Sequence, residues 1–207
     1  MIKKSLVTLG LLCASTNAVA ANQFYIGAGA IAGSGTHIGT YENTYGNTLG
    51  EYETDIDTSG YSVKIGKDNG SSRVELSYTN IDVEFSGSPT APWWLQNVNG
   101  TQTMYGLDLD FVKPFGSSRL KPFITLGAGY HIWKDNVYRV AGTTDTQDLQ
   151  ALSLNAGAGI IYSLGRVELE AAYKYKYYMW QDIEAGTDTI SQDTTISGLY
   201  VGVNFRF

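Results

Sequence analysis

The sequence has almost no cysteine. Its single one, Cys13, lies among the first twenty residues. Those residues read as a secretory signal peptide. Met1-Ile2-Lys3-Lys4 is a basic start, residues 5–13 are mostly apolar, and Ala18-Val19-Ala20 supplies the small residues of a cleavage site. Cleavage is expected between Ala20 and Ala21, leaving residues 21–207 as one domain. A lipoprotein signal would need a small residue before the cysteine, and Leu12 stands there. The mature chain is then without thiol, disulfide or cysteine-based metal site.

Positive charge is also scarce. The formal net charge is −6, and loss of Lys3 and Lys4 takes it to −8, which argues against nucleic acid as a partner. After the signal there is no apolar run long enough for a membrane helix, so helical spanning is excluded. Proline is rare, with 4 residues, whereas Gly (24) and Tyr (15) are abundant. A soluble β-protein fits these facts. So does a membrane β-barrel, whose alternating strands hide their apolarity in an average.

Alternation is what the chain has in quantity. Side chains of a strand point to opposite faces in turn. Phe24, Ile26, Ala28, Ala30 and Ala32 alternate with Tyr25, Gly27, Gly29 and Ile31. Similar runs give strands around Tyr61–Gly66, Arg73–Tyr78, Tyr105–Phe111, Ile124–Ile132, Leu154–Ser163, Val167–Tyr177 and Tyr200–Phe207. This predicts eight strands. Three connections are short, at Asn69-Gly70, near Pro114-Phe115 and at Leu164-Gly165. Four are expected to be long loops, over residues 35–59, 86–100, 134–148 and 181–193. A soluble sandwich has no reason to gather its long loops at one end, whereas an outer-membrane barrel does.

The last strand carries a family likeness. Tyr200, Gly202, Phe205 and Phe207 fill, in register, the assembly signal of the closing strand of Gram-negative outer-membrane β-barrels. Segments 24–29 and 121–129 also look like theirs. The mature chain resembles the transmembrane domain of outer membrane protein A and the opacity-type small porins. The resemblance implies an all-β, eight-stranded, antiparallel, up-and-down transmembrane β-barrel, closed, with four long outer loops and three short periplasmic turns. It implies residence in the cell outer membrane of a Gram-negative bacterium, as a monomer. Periplasmic chaperones, the barrel-assembly machinery, outer-membrane lipid and lipopolysaccharide become the expected partners. No peptidoglycan-binding domain is expected after the barrel.

The polar face carries the candidate site. Lys64, Arg73, Lys174, Lys176 and Arg206 oppose Glu75, Asp108, Asp110, Glu168 and Glu170, all facing inward. An unpaired buried charge is costly, so a narrow lumen should pair them as a plug. A selectivity ring would favour one sign. A two-residue turn at Asn69-Gly70 would make paired residue numbers sum to 139, setting Lys64 opposite Glu75 and Tyr61 opposite Tyr78. Gly-Ala-Gly recurs at 27–29, 127–129 and 157–159. No phosphate-binding helix follows any of these, and they read as a small-residue layer that makes room for large inward side chains.

Outside, Glu51, Glu53, Asp55 and Asp57 recur every second residue, in phase with Tyr61, Val63 and Ile65. Carboxylates are hard-oxygen ligands, so this column is a candidate for bridging Ca²⁺ or Mg²⁺ to lipopolysaccharide, against the plainer reading of a solvated acidic loop. Trp93-Trp94 suits a carbohydrate platform or a loop tip packed on the rim. His131 is followed by Ile132-Trp133, so the His-x-Ser of the barrel deacylase is missing. No cofactor and no catalysis are expected. Three functions remain: a structural or adhesin-like surface protein binding an extracellular ligand through its loops, a small diffusion pore, and a lipid A-modifying enzyme.

Overall fold

The computed structural model describes residues 23–43, 45–86, 101–140, 143–185 and 188–207. The expected signal peptide, its expected cleavage pair Ala20 and Ala21, and Trp93-Trp94 lie outside them. Nine strands follow in order: β1 (Gln23–Asn43), β2 (Thr48–Asp68), β3 (Arg73–Ser86), β4 (Thr101–Pro114), β5 (Leu120–Val140), β6 (Thr143–Leu164), β7 (Val167–Trp180), β8 (Ile183–Ala185) and β9 (Asp188–Arg206). Each of β1 to β7 pairs antiparallel with the next, except that β7 pairs with β9. β9 also pairs with β1, from Tyr25↔Arg206 to Asn43↔Asp188, so the sheet returns on itself as a ring of eight strands. The ninth, β8, is a three-residue strand on the upper end of β9.

Strand length corrects the loop expectation. β1, β2, β5, β6 and β9 have 21, 21, 21, 22 and 19 residues, while β3, β4 and β7 have 14. A bilayer needs about 9–11 tilted strand residues. The longer strands therefore continue past that height. Residues 35–59 are not one loop but largely the upper halves of β1 and β2. Residues 134–148 largely continue the β5–β6 hairpin, and 181–193 hold β8 and the start of β9. Most of the second predicted loop lies outside the described residues.

The composition misled because the pattern inverts. On β2 the outward residues are Ile65, Val63 and Tyr61, then Ser59, Asp57, Asp55, Glu53 and Glu51. Its inward residues run Asp68, Lys64 and Ser62, then Ile56 and Tyr52. On β3 the outward face passes from Val74, Leu76 and Tyr78 to Asn80, Asp82 and Glu84, while inward Arg73, Glu75 and Ser77 give way to Ile81 and Val83. β6 changes outward from Leu154 and Leu152 to Gln150, and inward from Asn155 to Leu149. β9 changes outward from Leu199 to Ser197, and inward from Asn204 to Ile196. Below the change the ring is apolar outside, and inside it carries the charged residues beside a small apolar cluster of Val112, Phe123, Ile161, Ala172 and Tyr200. Above it the ring is mostly polar outside, and inside it holds an apolar core in which His37, Thr54, Thr58, Gln192 and Thr194 are also buried. On β2 and β3 the change falls within one outward position: Tyr61, the last apolar one of β2, pairs with Asn80, the first polar one of β3, and Ser59 pairs with Asp82.

The β2–β3 turn is longer than expected. Paired numbers sum to 141, not 139: Asp68↔Arg73, Lys64↔Ser77, Val63↔Tyr78. Tyr61 faces Asn80 and Glu75 faces Gly66. The turn spans residues 69–72, closed by Asn69 N donating to Ser72 O at 2.9 Å. The Asp68 side chain fixes it by accepting from Gly70 N at 2.7 Å, and Gly70 takes φ 83°, which glycine adopts freely. A shift of two leaves every side chain on its own face.

Candidate functional site

Inside the apolar belt the lumen holds a chain of ion pairs. Lys64 Nζ donates to Glu75 Oε2 at 3.0 Å and to Glu170 Oε2 at 2.6 Å. Glu75 Oε1 accepts from Tyr25 OH at 2.5 Å, and Asn204 Nδ2 donates to Glu170 at 3.0 Å. Nearer the short turns, Arg73 grips Glu168 through two parallel bonds of 2.8 and 2.9 Å and reaches Asp68 at 3.0 Å. Arg206 joins the same two carboxylates, at 2.7 Å from Asp68 and 3.1 Å from Glu168. Arg73 and Glu168 are both fully buried.

A second cluster gathers on Asp108. It accepts from Lys176 at 2.6 Å, Asn155 at 2.9 Å and Thr79 at 3.2 Å, and contacts His131 Nε2 at 3.0 Å. Asp110 accepts from Asn155 at 3.3 Å and lies 4.0 Å from Lys174. Lys174 in turn sits 4.5 Å over the Tyr200 ring. All ten lumen residues expected from sequence thus have oppositely charged partners here. A sixth carboxylate, Asp68, joins them. It shares the even numbering of Lys64 and Gly66, which places it inward.

Glycines make the space. A Cβ on Gly29 would strike the Tyr200 ring, one on Gly27 the Asn204 amide, and those on Gly127 and Gly129 the carboxylates of Asp110 and Asp108. Tyr200 of the closing strand therefore points into the lumen with Gly202 and Arg206, while Phe205 and Phe207 are exposed outside.

Above the ion pairs the lumen is filled by an apolar core that sequence reading did not find. Ile56, Ile81, Met104, Trp133, Leu149, Tyr178, Trp180 and Ile190 belong to one buried cluster, with Phe85 packed on it. Trp133 stacks on Phe85 with centroids 5.8 Å apart, and Tyr178 stacks on Trp180 at 5.8 Å. His37 is buried against Trp133 at 5.2 Å, with Nδ1 2.7 Å from Thr194 Oγ1. Burial pushes its imidazole down to about 4 and raises the neighbouring Tyr52 phenol. The visible signal was parity: Tyr52, Ile56, Ile81, Val83 and Trp133 all fall on inward positions.

Glu51, Glu53, Asp55 and Asp57 are exposed on the outer face of β2, and Asp82 and Glu84 stand on the adjoining β3. Alternate residues of one strand share a face about 7 Å apart. Among the described residues no group of three or more His, Cys, Asp or Glu is placed to hold a metal. His131 is held by Asp108, and Ser153 Oγ points to Asp108 and Asn155, at 3.5 and 3.3 Å.

No family model matches the chain, and no curated relative does. The chain resembles small outer-membrane β-barrels of known structure. Neisserial surface protein A is 16% identical, with 89% of this chain and 97% of that one covered and a TM-score of 0.49. A major outer membrane protein from Thermus thermophilus is 14% identical over 91% and 100%, with a TM-score of 0.47. The outer membrane protease OmpT from Escherichia coli is 7% identical over 94% and 99%, with a TM-score of 0.44.

Proposed function

We propose that this protein is a plugged outer-membrane β-barrel that serves as a monomeric structural or surface-interaction protein of a Gram-negative cell. The observation that carries this reading is the inversion on β2, β3, β6 and β9. It marks where an apolar surrounding gives way to water. Outward Leu199, Val201, Val203, Phe205 and Phe207 span nine residues, the length a tilted strand needs to cross a bilayer. The upper strands then stand outside, where they can meet an extracellular ligand. Chaperones and the barrel-assembly machinery would handle the chain before insertion, and lipid and lipopolysaccharide would surround it afterwards.

The ion pairs and the aromatic core above them both support a filled lumen rather than a diffusion pore. The directions of Ser153 and His131 support a non-enzymatic role, since the hydroxyl meets the carboxylate and not the imidazole. Planar-bilayer conductance of the refolded protein, beside whole-cell binding by a strain lacking the upper β1–β2 hairpin, tests the reading. Silent bilayers with binding lost in the deletion strain are expected. Steady channel currents would return the diffusion pore.

A further inference from the structure

Two grooves lie one above the other on the outer face of β9, β1 and β2. The upper is a mostly polar groove of ≈ 350 Å³, lined by the outward residues Ser34, Thr36, Asp55, Asp57, Thr195 and Ser197, with Tyr175 of β7 at one side. Its hydroxyls stand in two rows across the strands. Tyr175, Ser197, Ser34 and Asp57 form one row through Tyr175↔Ser197, Ser34↔Ser197 and Ser34↔Asp57. Thr195, Thr36 and Asp55 form the next. The lower groove is an apolar hollow of ≈ 680 Å³ whose lining includes Ile26, Ala28, Val63, Ile65, Val203 and Phe205. Ala28 lies between Val63 and Val203, so its short side chain floors the hollow. Two outward rows separate the linings, Ala30 with Tyr61 and Val201, and Ala32 with Ser59 and Leu199; the change to polar residues falls between Ala32↔Leu199 and Ser34↔Ser197.

A polar groove two residue rows above an apolar one fits an extended amphiphile, head up and tail down. The lining selects the head. Asp55 and Asp57 repel an anion, and no Lys or Arg lines the upper groove to receive one. Hydroxyls and carboxylates match the hydroxyls of a sugar, and the exposed Tyr175 ring offers its face to the C–H side of a pyranose. The volume lies in the range of small-molecule sites, about 300–1,000 Å³. We propose that this face binds one glycolipid of the outer leaflet, its uncharged sugar in the upper groove and an acyl chain in the hollow. The proposal rests on the reading of the chain as a membrane barrel.

Native mass spectrometry of the detergent-extracted protein tests it. The probes are digalactosyl diacylglycerol, phosphatidylglycerol with the same acyl chains, and free digalactose. The glycolipid should be retained over both. Thr36→Val with Thr195→Val removes two hydroxyls and should weaken retention by at least about tenfold. Ala28→Trp should fill the hollow and weaken it likewise, whereas Thr103→Val, at the same rim on β4, should leave it unchanged. Equal retention of phosphatidylglycerol, equal binding of free digalactose, or indifference to the double variant would each overturn the site. Boiling-dependent gel mobility is recorded for every variant, and one that loses it is replaced by the single Thr36→Val or Thr195→Val. If the wild type itself lacks it, the barrel reading has failed, which is a separate result.

Discussion

Lys64 and Glu75 are joined across the β2–β3 pair without facing each other. Lys64 pairs with Ser77 and Glu75 with Gly66, yet their charged ends meet at 3.0 Å. Gly66 leaves its lumen space to the Tyr25 ring, whose hydroxyl donates to Glu75, and Glu170 from β7 closes on the same ammonium.

The cluster is asymmetric, and stability should show it. Glu75→Gln leaves Lys64 with Glu170 and keeps an acceptor for Tyr25, so it should cost about 1–3 kcal/mol. Lys64→Met leaves two carboxylates together in a dry lumen and should cost about 3–5 kcal/mol. Urea unfolding in lipid vesicles measures both. Combining the two should cost less than the sum of the singles. Strict additivity would mean a wide, wet lumen.

The four-residue turn sets a register that cross-linking can read. Val63→Cys with Tyr78→Cys places two thiols on directly opposed residues. The mature chain is expected to lack other cysteines, so oxidation should join this pair readily. Tyr61→Cys with Tyr78→Cys is two residues out and should join poorly. The opposite preference would restore the two-residue turn.

His37 should make the upper core sensitive to acid. Its folded pKa of about 4 lies below the ordinary 6.5, because burial disfavours the charged ring. The unfolded segment therefore binds the proton first. Stability is full above about pH 6.5 and falls as pH drops toward 4, by about 3 kcal/mol in all. Amide exchange on β1 and β2 around residues 36–41 and 50–56 should rise over that window, after correction for intrinsic rate. His37→Gln should flatten the change. A flat wild-type profile would show that the core opens without charging His37.

The sequence disclosed the lower half of the ring and hid the upper half, for one physical reason. Where outward residues are apolar, as in Tyr61, Val63 and Ile65, alternation stands out against glycines and charges. Higher up, outward Asp55 and Asp57 flank inward Ile56, and a Thr- and Gly-rich stretch with acids reads as loop. The same alternation was present in opposite phase. Parity also placed the ten lumen charges inward, but their partners depend on how strands from opposite sides of the ring approach. That Glu170 holds Lys64, or that Asp68 bridges Arg73 and Arg206, needs the closed register. The stack of Trp133 on Phe85 brings β5 against β3, which are not neighbours in the sheet, so no local pattern announces it.

The inversion on β2 is the claim on which the rest stands, and a single-cysteine spin-label scan from Glu51 to Ile65 tests it directly. Labels at 61, 63 and 65 should be relaxed by oxygen, which concentrates in lipid, and shielded from a water-soluble nickel chelate. Labels at 51, 53, 55 and 57 should respond to the chelate instead, and labels at 52, 54, 56, 62 and 64 should be shielded from both. Contact with the chelate at 61, 63 and 65 would place that face in water and contradict the account.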